Sequence, residues 1–117
     1  MSGIEISVKE ASKKMRGKNV FLLDVRQPEE FAVSKIEGFL LMPLHELAAG
    51  VEELQPHKSK EVLVICHHGA RSLFAANFLR KCGFDAKSIK GGIEEWSSKI
   101  DPSMPHYAKG PFGVIKV

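Results

Sequence analysis

The sequence predicts a single α/β domain in which a central parallel β-sheet is flanked by helices on both faces. Two continuous apolar runs, at residues 20–25 and 62–66, are short and rich in β-branched residues, as is typical of strands buried on both faces. Segments of helical period separate and follow these runs, and such alternation characterises parallel sheets. At 117 residues the chain has the length of one compact domain, which we expect to span residues 1–117.

Three shorter segments are weaker strand candidates that would widen the sheet. They lie at residues 4–6, 40–42 and 86–89, and the first of them is expected at an edge. Residues 101–117 contain three prolines and two glycines, a composition that disfavours a helix. We therefore expect an extended C-terminal tail that wraps the surface.

Five helices are predicted from capping residues and from the spacing of apolar residues. Ser7 and Glu10 have the spacing of a capping box, which predicts a helix that continues to about Arg16. Pro28 is followed by two acidic residues, a pattern typical of the first turn of a second helix. The remaining three helices are predicted at residues 45–54, 70–82 and 92–100.

Charge and cysteine content exclude several classes of protein. The chain has 17 Lys and Arg residues against 14 Asp and Glu residues, and a formal charge of +3 is too small to indicate nucleic-acid binding. Two cysteines are too few for a disulfide framework or a four-cysteine metal site. No apolar run approaches the roughly 20 residues of a membrane helix, and the first residues do not resemble a signal peptide. We therefore expect a cytoplasmic protein with free thiols that binds neither membrane nor nucleic acid.

The segment with the clearest chemistry runs from the strand at 62–66 into the helix at 70–82. Cys66 stands at the carboxyl end of the strand, where ligands bind in open α/β sheets. Consecutive backbone N–H groups of the tight loop, together with the helix N-terminus, would stabilise a thiolate there. Arg71 adds a positive charge suited to an anionic sulfur donor or a persulfide, and Gly69 permits the tight backbone path. The sequence thus predicts that Cys66 is a nucleophile.

Four motifs together resemble those of rhodanese-type sulfurtransferases, and the likeness covers nearly the whole chain. The run Cys-His-His-Gly-Ala-Arg-Ser at residues 66–72 resembles the active-site loop of that family. The family's other signatures are similar to residues 24–31, to residues 36–38 with Pro43, and to residues 91–96.

One group within the family is more similar than the rest. The loop beginning Cys-His-His-Gly, and the tail from Asp101 to near Tyr107, resemble single rhodanese domains fused to E1-like sulfur-carrier adenylyltransferases. The chain departs from the family before Ile36, where Ser34 and Lys35 replace the common Gly-His. In that family the position has a structural role or forms part of the rim of the pocket, so the resemblance implies that the exchange affects substrate preference more than activity.

The resemblance implies a rhodanese-like fold and a sulfurtransferase that holds a sulfane sulfur as a transient persulfide on Cys66. The donor would be thiosulfate or a protein persulfide, and the acceptor a thiol, a sulfur-relay protein or, in vitro, cyanide. No metal or organic cofactor is implied. Asp24 and Arg26 would form a network that supports the rim of the site. Substrate binding would fall to the loop residues His67, His68, Gly69, Ala70, Arg71 and Ser72.

The two histidines of the loop allow two interpretations. Imidazole N–H groups near a sulfur anion would raise the local positive potential at mildly acid pH. His67 and His68 could instead bind a metal ion together with Cys66, since these residue types are zinc ligands. Adjacent residues of a tight loop do not easily converge on one ion, and no distant ligand completes the set. We therefore predict no metal site.

Two other functions stay open at the level of sequence. Phosphatases and arsenate reductases related to rhodanese have a loop longer by one residue, which makes room for a tetrahedral anion. Here four residues separate Cys66 from Arg71, a length that suits a single sulfur atom. A sulfur carrier or regulatory module without turnover would have the same sequence pattern.

Cys82 is not expected to form a disulfide with Cys66, because a helix at 70–82 would separate them by about 18 Å along its axis.

Overall fold

Five strands form the central sheet of the protein, whose computed structural model describes residues 3–17 and 19–117. They are β1 (Glu5–Ile6), β2 (Val20–Asp24), β3 (Leu40–Leu41), β4 (Glu61–Ile65) and β5 (Asp85–Ile89). Their order across the sheet is β1-β5-β4-β2-β3, and all of their pairings are parallel. Each strand overlaps a predicted one, and the predicted fold class is confirmed.

The central strand β4 explains why its sequence is apolar without interruption. Side chains alternate between the two faces of a strand. Val62 and Val64 belong to the core on one face of the sheet, whereas Leu63 and Ile65 belong to the core on the other. All four are at most 1% exposed. Because helices cover both faces, neither face of β4 can carry polar residues at low cost.

Helices fill the layers on the two faces of the sheet. They are α1 (Val8–Arg16), α2 (Pro28–Val33), α3 (Leu47–Gly50), α4 (Ala70–Lys81) and α5 (Gly92–Lys99). Apolar residues of α3 and α4 pack with Val62 and Val64, and those of α1 and α5 pack with Leu63 and Ile65. The start of α1 has the predicted cap, in which the Ser7 side chain accepts a hydrogen bond from the backbone N–H group of Glu10 at 3.0 Å.

The prediction of one regular helix at residues 45–54 is wrong. Two 3₁₀ segments, Leu44–Glu46 and Val51–His57, flank the single turn of α3. Gly50 ends that turn, and glycine costs a helix about 1 kcal/mol relative to alanine. A Cβ atom on Gly50 would lie 2.8 Å from the sulfur of Met42, so the methionine side chain occupies the space that a better helix former would need.

The C-terminal residues form a hairpin rather than the predicted extended tail. Strands β6 (Tyr107–Gly110) and β7 (Gly113–Lys116) pair antiparallel, and β7 packs beside α2. Composition indicated correctly that this segment is not helical, but the alternation expected of strands is weak here. Tyr107 is only 3% exposed and belongs to the core that contains α1 and α5. The hairpin is therefore a packed part of the domain.

Parallel pairing brings the carboxyl ends of the inner strands to one edge of the sheet. Asp24 is the register partner of Ile65, so the segments that follow β2 and β4 begin side by side. The end of β5 lies on the other side of β4. The segment beginning at Cys66 is therefore flanked by two other strand ends, the position at which open α/β sheets bind ligands.

Candidate active site

The sulfur of Cys66 lies in a cradle of backbone N–H groups at the start of α4. The N–H groups of Gly69 and Ser72 point to the Cys66 Sγ atom, with nitrogen–sulfur distances of 3.1 and 3.2 Å. Donors from a tight loop and from the first turn of a twelve-residue helix favour negative charge at this atom. Cys66 is 1% exposed. The arrangement can hold a thiolate and shield it from bulk water.

Gly69 adopts a conformation that other residues rarely do. Its φ angle is +113°, and a Cβ atom there would approach the backbone nitrogen of Gly91 to 3.2 Å. The loop therefore needs glycine both for its backbone angle and for its close packing on the turn before α5. This residue also supplies one of the two N–H groups of the cradle, so its conformation bears directly on the Cys66 sulfur.

A pair of serines lies beneath the cradle. The hydroxyl group of Ser72 lies 3.4 Å from Cys66 Sγ and donates to the Gly69 carbonyl at 3.2 Å. It also forms a hydrogen bond of 2.7 Å with the hydroxyl group of Ser88, on β5. Both serines are fully buried. Sequence reasoning missed Ser88, although a serine within a predicted strand is a signal that a polar partner lies nearby.

The turn between β5 and α5 fixes the loop from its other side. The N–H group of Ile93 donates to the Cys66 carbonyl at 2.8 Å, and that of Glu94 donates to the His67 carbonyl at 3.1 Å. Gly92 has a φ angle of +58°, and a Cβ atom there would lie 2.3 Å from the Cys66 carbonyl oxygen. The loop carbonyls thus have partners in α5, which leaves the loop N–H groups free to face the sulfur.

Arg71 forms an ion pair with Glu30 that the sequence did not predict. Its two terminal nitrogen atoms donate to the two carboxylate oxygen atoms of Glu30, at 2.7 and 2.8 Å. Burial alone would raise the pKa of Glu30, but hydrogen bonds from Arg71, the Gln27 N–H group and Tyr107 hold this pKa at about 2. Arg71 was expected to bind an anionic donor or a persulfide, and this role stays a prediction. In the structure its charge balances that of Glu30.

Asp24 and Arg26, predicted to support the rim, form a fully buried ion pair. Arg26 Nη2 lies 2.8 Å from Asp24 Oδ2, and Arg26 Nε lies 3.0 Å from Asp24 Oδ1. Arg26 also donates to the carbonyl oxygen of Ser34 at 2.5 Å. The guanidinium therefore ties the end of β2 to the segment after α2, next to the active-site loop.

Tyr107 of the hairpin joins these groups to one another. Its hydroxyl group donates to Glu30 at 2.8 Å and accepts from Arg26 at 3.1 Å. Its ring stacks on the ring of His67, with centroids 3.9 Å apart. In the sequence analysis Tyr107 appeared only as the end of a tail similar to that of related domains. Its contacts with Glu30 and Arg26 were not predicted, because these residues lie 77 and 81 positions away in the chain.

The two histidines of the loop lie in different surroundings. His67 is 6% exposed, and its ring lies between those of Tyr107 and His68. Burial, followed by the proximity of His68, lowers the pKa of His67 to about 4. Its imidazole is therefore neutral at mildly acid pH, contrary to the expectation that it adds positive potential there. His68 is exposed, as is Ala70.

The second cysteine lies away from this cluster. Cys82 follows the last residue of α4, at the opposite end of that helix from Cys66, and its side chain is partly buried. Among residues 3–17 and 19–117, no group of three or more His, Cys, Asp and Glu side chains is arranged to hold a metal ion. Within the same residues, no helix is long and apolar enough to cross a membrane.

Comparison with known proteins decides the family. The model of the rhodanese-like domain matches residues 7–99. The chain belongs to the rhodanese-like domain family. The loop at residues 66–72 lies inside the matched region, whereas Tyr107 and the hairpin lie beyond it. The resemblance noted in the sequence is confirmed.

Curated relatives of this rhodanese-like domain are longer proteins. The chain is 35% identical over 111 residues to the rhodanese-like/PpiC domain-containing protein 12, chloroplastic, of Arabidopsis thaliana, covering 88% of the chain and 37% of the relative. It is 34% identical over 101 residues to the adenylyltransferase and sulfurtransferase MOCS3 of the same plant, covering 74% and 22%. The chain thus spans less than half the length of either relative.

A solved structure of similar size has the same fold. The rhodanese-related protein from Thermoplasma volcanium superposes with a TM-score of 0.75 at 30% sequence identity. The superposition covers 82% of this chain and 92% of that protein. Membership of the family, together with relatives named as sulfurtransferases, supports a role in sulfur transfer.

Proposed function

We propose that this rhodanese-like domain moves a sulfane sulfur from thiosulfate, or from a protein persulfide, to a thiophilic acceptor through a persulfide on Cys66. The observation that carries the proposal is the cradle at the start of α4, in which the N–H groups of Gly69 and Ser72 both point to the Cys66 sulfur. A thiolate is the reactive form of cysteine, and donors fixed around it favour that form.

In the first half-reaction the Cys66 thiolate attacks the outer sulfur of thiosulfate. A new S–S bond forms on Cys66, the S–S bond of thiosulfate breaks, and sulfite leaves with the electron pair. The N–H groups of Gly69 and Ser72 stabilise the thiolate before the attack. Ser72 and Ser88 hold the base of the cradle through their hydrogen bond, so the donors keep their places while charge moves.

In the second half-reaction a thiolate acceptor, or cyanide, attacks the outer sulfur of the persulfide. The bond between the two sulfur atoms breaks, and the electron pair returns to Cys66 Sγ, where the same two N–H groups receive the charge. The acceptor leaves as a persulfide or as thiocyanate. Each bond that forms is matched by one that breaks, so the cycle needs no external oxidant, reductant or cofactor.

Intact-protein mass spectrometry after incubation with thiosulfate tests the proposal directly. We expect the wild type and Cys82→Ser to gain the mass of one sulfur atom, cyanide to remove it as thiocyanate, and Cys66→Ser to gain nothing. An aryl phosphate serves as the control substrate and should not be hydrolysed. Absence of the added sulfur, its presence on Cys82, or phosphatase turnover that depends on Cys66 would overturn the proposal.

The physiological setting follows from the same chemistry. A persulfide cycle requires a free Cys66 thiol, so we propose a reducing compartment such as the cytoplasm and a sulfur-relay protein as one partner. The similarity to an adenylyltransferase and sulfurtransferase supports a relay role. Fractionation of cells, combined with trapping of a disulfide between Cys66 and a partner cysteine, tests both points. Recovery only from an oxidising compartment would contradict them.

A further inference from the structure

A groove of about 840 Å³, open to solvent, lies beside the active-site loop. It runs between the start of α1 and the turn before α5, and His68 of the loop forms part of its wall. Two residues of extended chain span no more than about 7 Å, so the Cα atom of His68 lies within that distance of the Cα atom of Cys66. The wall of the groove therefore includes a residue of the loop that holds Cys66.

The size of the groove does not suit thiosulfate, which is an ion of about the size of sulfate. Sites of roughly 300 to 1,000 Å³ are typical of ligands with the dimensions of a drug molecule or a cofactor. A second substrate of that size would fill the groove and still reach the loop through the side where His68 and Gly91 lie.

Three lysines give the groove its charge. Lys9, Lys90 and Lys99 line it, and Glu95 is the one acidic residue among the lining side chains. Glu95 forms an ion pair with Lys99 at 2.9 Å, which leaves Lys9 and Lys90 in excess. Both of these lysines are exposed, so their ammonium groups are accessible to a ligand in the groove.

The positive charge of Arg71, next to Cys66, is already paired with Glu30. Arg71 uses both terminal nitrogen atoms to bind Glu30. An anionic group on a substrate would therefore find its counter-charges in the groove, on Lys9 and Lys90, rather than on Arg71. The loop therefore holds the reacting sulfur, whereas the lysines of the groove attract an anionic group that lies away from the reacting atom.

We propose that this groove, the lysine groove, binds the anionic end of a small thiol that accepts sulfur from Cys66. The inference rests on the proposed function and specifies its acceptor. The acceptor thiolate attacks the outer sulfur of the Cys66 persulfide, the bond between the two persulfide sulfurs breaks, and the electron pair returns to Cys66. The anionic group lies on Lys9 and Lys90 throughout and takes no part in bond exchange.

Two pairs of thiols test the recognition of charge, because the members of each pair share the same reactive end. Glutathione is compared with its diethyl ester for carboxylates, and coenzyme A is compared with pantetheine for phosphates. Protein preloaded with thiosulfate is mixed with each thiol, and removal of the Cys66 sulfur is followed against thiol concentration. We expect the KM of the anionic member of at least one pair to be about fivefold lower or more, and the difference to shrink in high salt. The pair that responds identifies the anionic group.

Variants locate the effect in the groove. Lys9→Gln combined with Lys90→Gln should remove the preference for the anionic thiol and leave transfer to cyanide unchanged. Glu95→Gln should lower the KM for the anionic thiol, because it removes the opposing charge. Lys13→Gln is the matched control, since Lys13 is exposed on α1 but does not line the groove. Loss of preference in Lys13→Gln equal to that in the double variant would overturn the assignment.

A binding measurement separates this inference from the proposed function. The matching S-methyl compounds cannot accept sulfur: S-methylglutathione with its diethyl ester, and S-methyl coenzyme A with S-methylpantetheine. Their binding is read from shifts of the His68 ring signals in NMR spectra. Binding of an anionic derivative without any loading of Cys66 would refute the sulfurtransferase and support the groove. Normal loading with equal KM values and equal binding within both pairs would refute the groove and support the sulfurtransferase.

Discussion

The ring of Tyr107 lies nearly parallel to the ring of His67, with centroids 3.9 Å apart and an angle of 13° between their planes. His67 directly follows Cys66, whereas Tyr107 belongs to the hairpin outside the region matched by the family model. The hydroxyl group of the same tyrosine contacts Glu30, which in turn holds Arg71. The hairpin therefore completes the surroundings of a loop that lies far from it in sequence.

Replacement of Tyr107 by phenylalanine separates its two roles. Tyr107→Phe keeps the stacking on His67 but removes a donor from Glu30 and an acceptor from Arg26. A buried polar group left without its partner costs about 1 to 3 kcal/mol, so we expect the free energy of unfolding in urea to fall by that amount. Tyr107→Leu, which also removes the ring contact, should cost more. Equal stability of Tyr107→Phe and the wild type would show that the hydroxyl contacts are not formed in solution.

Glu30 should make stability depend on pH in the acid range. Its folded pKa is about 2 and its ordinary value is 4.5, so its stabilising effect is complete above pH 4.5 and is lost as pH falls toward 2. The shift corresponds to about 3 kcal/mol. Urea unfolding of Glu30→Gln should show a lower stability at neutral pH and a smaller loss between pH 4.5 and 2. A parallel pH profile in variant and wild type would contradict the assignment.

His67 should contribute a separate acid transition at higher pH. The pKa of His67 is about 4 in the folded protein and 6.5 ordinarily. Between pH 6.5 and 4 the unfolded chain therefore binds a proton at His67 that the folded chain does not bind, so the free energy of unfolding falls as pH drops through this range. Titration of the His67 ring by NMR should give a midpoint near pH 4, and His67→Phe should lose the dependence of stability on pH in this window. A midpoint near 6.5 would indicate that the stacked, buried ring is not the form in solution.

Gly69 can be compared with another glycine that has a similar backbone angle. Gly113 has a φ angle of +124° with no atom near its missing Cβ, whereas Gly69 also packs against Gly91 and donates to the Cys66 sulfur. Both alanine variants should lose roughly 1 to 2 kcal/mol of stability from backbone strain. Only Gly69→Ala should also slow sulfur loading from thiosulfate, by tenfold or more. Equal loading rates in the two variants would argue against a role for the cradle.

Local patterns in the sequence were sufficient for the sheet and for the position of the loop that follows β4. The apolar run ending at Ile65 and the residues Cys66 to Arg71 that follow it are contiguous, so their structure could be inferred from neighbours alone. The contact between Gly50 and Met42 could not be inferred in this way, because the two residues belong to different segments that meet only in the folded chain. Glu30 was interpreted only as part of a helix start, since its partners Arg71 and Tyr107 lie 41 and 77 residues away.

The distance in sequence between Glu30 and Tyr107 has a consequence for biosynthesis. The cradle around Cys66 uses N–H groups no more than six residues away, and the residues that fix its loop, Ser88, Ile93 and Glu94, are also translated before residue 100. The contact between Glu30 and Tyr107 must wait until the hairpin has been translated. A nascent chain, or a product of premature termination between residues 100 and 106, therefore contains the whole cradle around Cys66 while Glu30 and Arg26 still lack the hydroxyl group that joins them.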